Sequence, residues 1–99
     1  MKQYKSDARY KLYSQGFHYI VEFRWHNQED RVLFSNLITV FKEMYGPDKE
    51  KVLYDEAGNF VPHWKINDTW RCEQNRSAKR RRIYLKEESI LSLALLRIG

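Results

Sequence analysis

Residues Asn75 to Glu88 read "NRSAKRRRIYLKEE" and place five basic side chains, Arg76, Lys79, Arg80, Arg81 and Arg82, within seven positions. Cations at that density hold phosphates, and an aromatic ring among them offers a surface on which a base stacks, the combination that binds single-stranded nucleic acid. If 80–86 is a strand, Arg80, Arg82, Tyr84 and Lys86 project from one face, and Arg71 on the preceding strand extends it. Arg71, Arg76, Lys79, Arg80, Arg82, Tyr84 and Lys86 are therefore the candidate nucleic-acid-binding residues. The charge is local. Between Arg71 and Lys86 seven basic side chains face one acid, Glu73, a net +6, while the rest of the chain carries eleven basic against twelve acidic groups, a net −1. Such a patch steers polyanions. A plainer use of the same run is the wet end of a hairpin, where charges discourage edge-to-edge pairing and long stems cover apolar surface. The segment lacks the glycine and the further aromatics of an RNA-recognition signature.

Little else in the chain has the spacing of a reactive site. Cys72 alternates with Trp70 and reads as a packed thiol rather than a nucleophile. His18, His26 and His63 have no partner at metal-ligand spacing. "HNQED" and "PDKEK" each echo a nuclease fragment, but the rest of a metal site is missing for the first, and the acids of the second crowd one turn instead of adjoining strands. The glycines are isolated, so no phosphate-cradling loop is present. The expectation is a non-enzymatic protein with no catalytic residues, metal, cofactor or small-molecule substrate.

The elements that would position the basic run follow from periodicity. "FHYIVEFRW" alternates strictly, with Phe17, Tyr19, Val21, Phe23 and Trp25 on one face and His18, Ile20, Glu22 and Arg24 on the other. "EDRVLFSNLITVFKEMYGP" carries Leu33, Phe34, Leu37, Ile38, Phe41, Met44 and Tyr45 as one apolar stripe. Asn27 and Asp30 resemble a capping arrangement, and Gly46-Pro47 supplies the stop. From Asp48 to Asn59 the chain is polar, with a short "KVLY" and a turn at "DEAGN". "HWKIN" and "TWRCEQN" read as one interrupted strand or a hairpin, which puts Trp64, Ile66, Trp70 and Cys72 on a shared face if continuous. Pro62 allows only an edge position or a strand start nearby. "RRIYLK" is a further strand, and "KEESILSLALLRIG" suits a helix with acids at its start and a base at its end, a buried strand being the alternative for its apolar body. "ARYKLYSQG" reads as a strand joined to Phe17 through a turn at Gly16 or as a short helix, the strand being favoured.

Ninety-nine residues make one domain, 1–99. The order predicts an α+β fold: a two-layer sandwich, mostly antiparallel sheet, with two helices packed on one face and the other face open. No run reaches the length of a membrane span, the start lacks an apolar leader region, and a single cysteine fits a reducing compartment, so a cytoplasmic protein is expected. Fifteen aromatic residues are more than one small core readily hides. An exposed Tyr84, Trp64 or Tyr54 would anchor a homo-oligomer or a protein partner, the alternative to single-stranded nucleic acid.

"VFKEMYG" closing a helix, the spaced mid-chain tryptophans and the ending "RRIYLKEESILSLALLRIG" together resemble small α+β proteins of tailed phages, cyanophages in particular. That resemblance implies a phage-encoded protein acting in the host cytoplasm or in a virion. It carries no functional residue with it.

Overall fold

The structure, a computed structural model, describes residues 1–73 and 79–99. The chain runs β1 (Lys2–Lys5), β2 (Tyr19–Arg24), α1 (Gln28–Tyr45), β3 (Lys49–Tyr54), β4 (Phe60–Ile66), β5 (Trp70–Glu73), β6 (Arg80–Leu85) and α2 (Glu88–Ile98). It is an α+β fold. Four strands form one antiparallel sheet in the order β1-β2-β6-β5, and β3 and β4 form a separate two-stranded sheet. In the larger sheet Val21 lies opposite Ile83 and Glu22 opposite Arg82, while Cys72 lies opposite Ile83 from the other side.

Alternation decides what each face of that sheet meets. Val21, Phe23, Ile83 and Leu85 join Trp70 with Phe34, Leu37, Val40 and Phe41 of α1 and Ile90, Leu91 and Ala94 of α2 in a single buried cluster. Each large side chain so buried contributes about 1.5–3 kcal/mol relative to exposure. Trp70, fully buried, also donates from Nε1 to the Gly46 carbonyl at 3.0 Å, tying β5 to the end of α1. The start of α1 forms as the sequence predicts. The Asn27 side chain accepts the Asp30 N–H at 3.2 Å, and Gly46, with φ at 83°, ends the helix. Asp30 does more than its position in the first turn implies. Its carboxylate accepts from the Met1 ammonium at 2.8 Å and from the Arg24 N–H at 2.8 Å, which pins the start of β1 and the end of β2 to the helix.

Four sequence expectations need correction. The first strand is Lys2–Lys5 rather than the segment around Tyr10, because residues 7–16 fold into consecutive turns (Tyr10 N–H to Asp7, Tyr13 N–H to Tyr10, Gln15 N–H to Leu12) that end at Gly16 in the left-handed region, φ 92°. The second sheet face is not open. That turn segment lies over it, so that Phe17, Ile20 and Tyr84 are buried with Tyr4, Tyr10 and Leu12 packed against them. Phe17 therefore belongs to this second cluster and not with Val21 and Phe23, since β2 begins only at Tyr19. Finally, "HWKIN" and "TWRCEQN" are strands of different sheets: β4 pairs with β3 through the turn at Asp55–Asn59, and β5 pairs with β6.

Candidate binding surfaces

The basic strand β6 runs between β2 and β5, and its neighbours determine which of its cations reach solvent. Arg82 is half-buried and bonds Glu22 from Nε at 3.0 Å, with its guanidinium over the Tyr10 ring at 5.6 Å. Burial opposes its charge, but the Glu22 carboxylate holds its pKa well above the ordinary arginine value. Tyr84 is 4% exposed, and its hydroxyl donates to Glu73. Burial, then the Glu73 carboxylate, push that hydroxyl up to about 12. A ring so enclosed offers no face to a base. Lys86 reaches back across the turn segment, donating to the Gln15 carbonyl at 2.8 Å and standing 5.1 Å from the Phe17 ring. Arg71, opposite Tyr84, is half-buried, and its Nε has no hydrogen-bond partner among the described residues. Arg76 lies outside the described residues.

Lys79 and Arg80 remain exposed, and they gather company the sequence did not offer. Arg80 sits directly across the ladder from Arg24, also exposed, and Glu22 approaches Arg80 only to 3.7 Å. On the opposite face Arg81 stacks its guanidinium 4.6 Å from the Trp25 ring. The Lys79 carbonyl accepts the Trp25 N–H at 3.0 Å, which fixes this end of the sheet. Of the seven predicted residues, Lys79 and Arg80 form a basic end with Arg24, Arg82, Tyr84 and Lys86 are engaged by partners on the second face, Arg71 is half-buried, and Arg76 lies outside the described residues.

The two-stranded sheet presents a different surface. Tyr54 pairs with Phe60, Lys51 with Trp64 and Lys49 with Ile66, but a one-residue register shift between Val52 and Tyr54 leaves an extra residue on β4, so Trp64 and Ile66 share a side with Lys49 and Lys51 while Phe60 shares the other with Tyr54 and Val52. Tyr54 and Phe60, exposed at 56% and 66%, therefore face one side, and Ile66 and Trp64, exposed at 46% and 57%, form an apolar patch on the other. Lys49 and Lys51 flank it, their ammonium groups 5.4 and 5.7 Å from the Trp64 ring. No other described helix or strand packs extensively on either strand. The hairpin is tied to the body at its neck, where the Asn67 N–H donates to the Asp48 carbonyl at 2.9 Å and Asn67 Nδ2 donates to the Tyr45 carbonyl at 2.7 Å. Its turn is built by Asp55, whose side chain accepts the Asn59 N–H at 2.8 Å, and by Gly58 at φ 85°. The radius of gyration, 14.7 Å, exceeds the roughly 13 Å of a compact domain of this size, as a projecting arm requires.

Trp64 and Tyr54 were expected as exposed anchors. Phe60, Ile66, Lys49 and Lys51 were not, although two runs flanking a turn "DEAGN" carry the hairpin signal. Glu22 had no visible role in sequence, because its partner stands sixty positions away in the chain.

Among the described residues no three or more His, Cys, Asp and Glu side chains gather as metal ligands, and no helix is long and apolar enough to cross a membrane. Comparison with protein-family models, curated proteins and solved structures returns no match.

Proposed function

We propose that the protein is a non-enzymatic interaction module that binds a protein partner through the arm formed by β3 and β4. The observation that carries this is the set of exposed apolar side chains, Tyr54 and Phe60 on one side and Trp64 and Ile66 on the other, of a hairpin on which no other described helix or strand packs extensively. A two-stranded hairpin is marginally stable alone in water, and a contiguous exposed apolar patch marks an interaction site. Tyrosine and tryptophan supply large contact area near the centre of protein interfaces. The double variant Phe60→Ser/Trp64→Ser tests the assignment. Neither ring packs on a buried cluster, so thermal stability stays within about 0.5 kcal/mol of the parent while association is lost. A loss of several kcal/mol would return the rings to the fold and overturn the proposal.

A second activity is favoured by one observation. Arg24 and Arg80 face each other across the ladder with Lys79 beside them, and directly opposed like charges destabilise a sheet. A polyanion relieves that repulsion. The basic end is therefore a surface for single-stranded nucleic acid, held by backbone charge without base stacking on Tyr84. Fluorescence anisotropy of a labelled oligonucleotide should show affinity falling with salt at a slope of about −0.7 per phosphate neutralised. Lys79→Glu/Arg80→Glu should abolish it. Arg82 is left intact in this variant because it holds Glu22. Salt-independent binding, or binding indifferent to the charge reversal, removes the nucleic-acid role.

A further inference from the structure

We infer that the side of the arm bearing Trp64, together with the groove at its root, binds a single strand of nucleic acid, with phosphates on Lys42, Lys49 and Lys51 and a base stacked on Trp64. This gives one side of the arm a second kind of ligand and leaves the side of Tyr54 and Phe60 to a protein partner. It does not depend on the basic end formed by Lys79 and Arg80.

Strand pairing sorts the charges of the arm by side. In the regular part of the ladder Lys49 with Ile66 and Lys51 with Trp64 fall on one side, and Glu50 with Lys65 and Val52 with His63 on the other. The first side carries two cations and no acid, whereas the second balances Glu50 against Lys65. The two ammonium groups stand 5.4 and 5.7 Å from the Trp64 ring, which is 57% exposed. An exposed ring beside cations is what the sequence suggested around Tyr84 and what the fold withdraws there by burying that ring. On the arm the same combination stays open: lysines take phosphates, and the indole takes a base.

The surface continues past the arm. Lys49 also lines a groove of about 370 Å³ at the root, shared with Lys42 and Ile38 of α1 and with Trp70 and Cys72 of β5. Asp48 is the acid in that lining, and its carboxylate accepts the Cys72 N–H at 3.2 Å. Lys42, Lys49 and Lys51 outnumber it, and none of the three is ion-paired among the described residues. Cations of one sign along a concave surface raise the local concentration of a polyanion. Lys49 joins the two parts, since it reaches both the groove and the ring. A duplex keeps the faces of its bases inside the stack, so a single strand is the form that offers one to Trp64.

The experiment is fluorescence anisotropy of a labelled single-stranded oligonucleotide across salt concentrations, with an abasic strand of equal length and a free nucleoside monophosphate as competitors. The variants are Trp64→Ser, Trp64→Phe, Lys42→Gln/Lys49→Gln/Lys51→Gln and, for the other site, Lys79→Glu/Arg80→Glu. Trp64→Ser should weaken binding about 5- to 150-fold, as loss of one stacked base does, and remove the preference for the base-bearing strand over the abasic one. Trp64→Phe keeps a ring and should recover most of that loss. The lysine variant should flatten the salt slope by about 2, at 0.7 per phosphate neutralised. Trp64 lies outside both buried clusters, so thermal unfolding followed in parallel should not move, which separates lost binding from lost fold. Binding indifferent to Trp64 but lost in Lys79→Glu/Arg80→Glu overturns this site and leaves the basic end standing. An abasic strand that binds as well as the base-bearing one overturns the stacking and reduces the surface to a general polyanion contact. A nucleoside monophosphate that competes as well as the strand, nucleotide for nucleotide, overturns the single strand as ligand. A parent that binds no oligonucleotide at low salt overturns the inference and leaves the whole arm to a protein partner.

Discussion

Glu22 is the acid around which the second face of the sheet is organised, and Glu22→Gln isolates its charge from its shape. The carboxylate accepts from Arg82 at 3.0 Å and from the Tyr4 hydroxyl at 3.2 Å, with Arg80 at 3.7 Å. A hydrogen bond to a charged group contributes about 1.5–3 kcal/mol, against about 0.5–1.5 kcal/mol between neutral groups. Losing the charge therefore removes about 2 kcal/mol over the two bonds, reduced to about 1–2 kcal/mol by residual solvent screening, since the Glu22 side chain keeps 17% exposure. In a domain of this length that corresponds to a Tm lowered by roughly 4–16 °C. The pH dependence has a defined sign. Burial alone would raise the Glu22 carboxyl, but the bonds from Arg82 and Tyr4 hold it below its ordinary value of 4.5. A depressed folded-state pKa contributes stability above the unfolded value and loses it as pH falls through the folded one. Thermal unfolding of parent and variant should thus diverge fully at neutral pH and converge in acid, below the ordinary carboxylate range. A deficit that persists unchanged in acid, or is missing at neutral pH, refutes the reasoning. The same substitution releases Arg80 and Arg82 from their acid, so oligonucleotide affinity at the basic end should rise.

Three further outcomes are expected. Asn27→Ala removes the acceptor of the Asp30 N–H and should cost about 1 kcal/mol in urea denaturation, with the helical circular dichroism signal otherwise retained. Trp70→Phe leaves the Gly46 carbonyl without its Nε1 donor and a gap in the core. It should cost about 2–4 kcal/mol, read as a shift in the denaturant midpoint at unchanged slope. Gly16→Ala forces a Cβ onto a residue at φ +92° and to 2.8 Å from Lys86 Nζ. It should cost about 1–2 kcal/mol, and an unchanged midpoint would show that the turn segment does not depend on that backbone state.

The strongest sequence signals were those with a local cause. The alternation of 17–25 yields β2, the stripe from Leu33 to Tyr45 yields α1 with its Asn27 cap and Gly46 stop, and the charge gradient of the last segment yields α2. Each depends on residues within a turn or two of one another. What escaped depends on pairing at a distance. Glu22 meets Arg82 only because β2 and β6 are neighbours in a particular register, and no pattern near either residue encodes that choice. Tyr84 looked like a solvent-facing ring because alternation tells which residues share a face, not what lies on it; the Tyr10 and Leu12 segment covers it. The basic run was legible as charge but not as a site, since partners from β2, β5 and the turn segment claim Arg82, Tyr84 and Lys86. The arm was half legible: its turn residues were recognised, yet the link from "KVLY" to "HWKI" competed with a continuation into "TWRCE" that is equally good in pattern.

The neck of the hairpin has a consequence for how the molecule can change. Asp48 and Asn67 meet at 2.9 Å, so the chain leaves the body and returns to the same place, and residues 49–66 are an excursion rather than a span. The bonds that fix β5, from Trp70 to the Gly46 carbonyl and from the Cys72 N–H to Asp48, are made on the body side of that neck. Closing a loop costs free energy only as the logarithm of its length, so shortening the excursion to a tight turn alters that cost by about 1–1.5 kcal/mol and in the favourable direction. The sheet and its helices neither need the excursion nor dictate how long it is. Its length and surface are free to drift under selection by whatever it touches, while the body keeps its register.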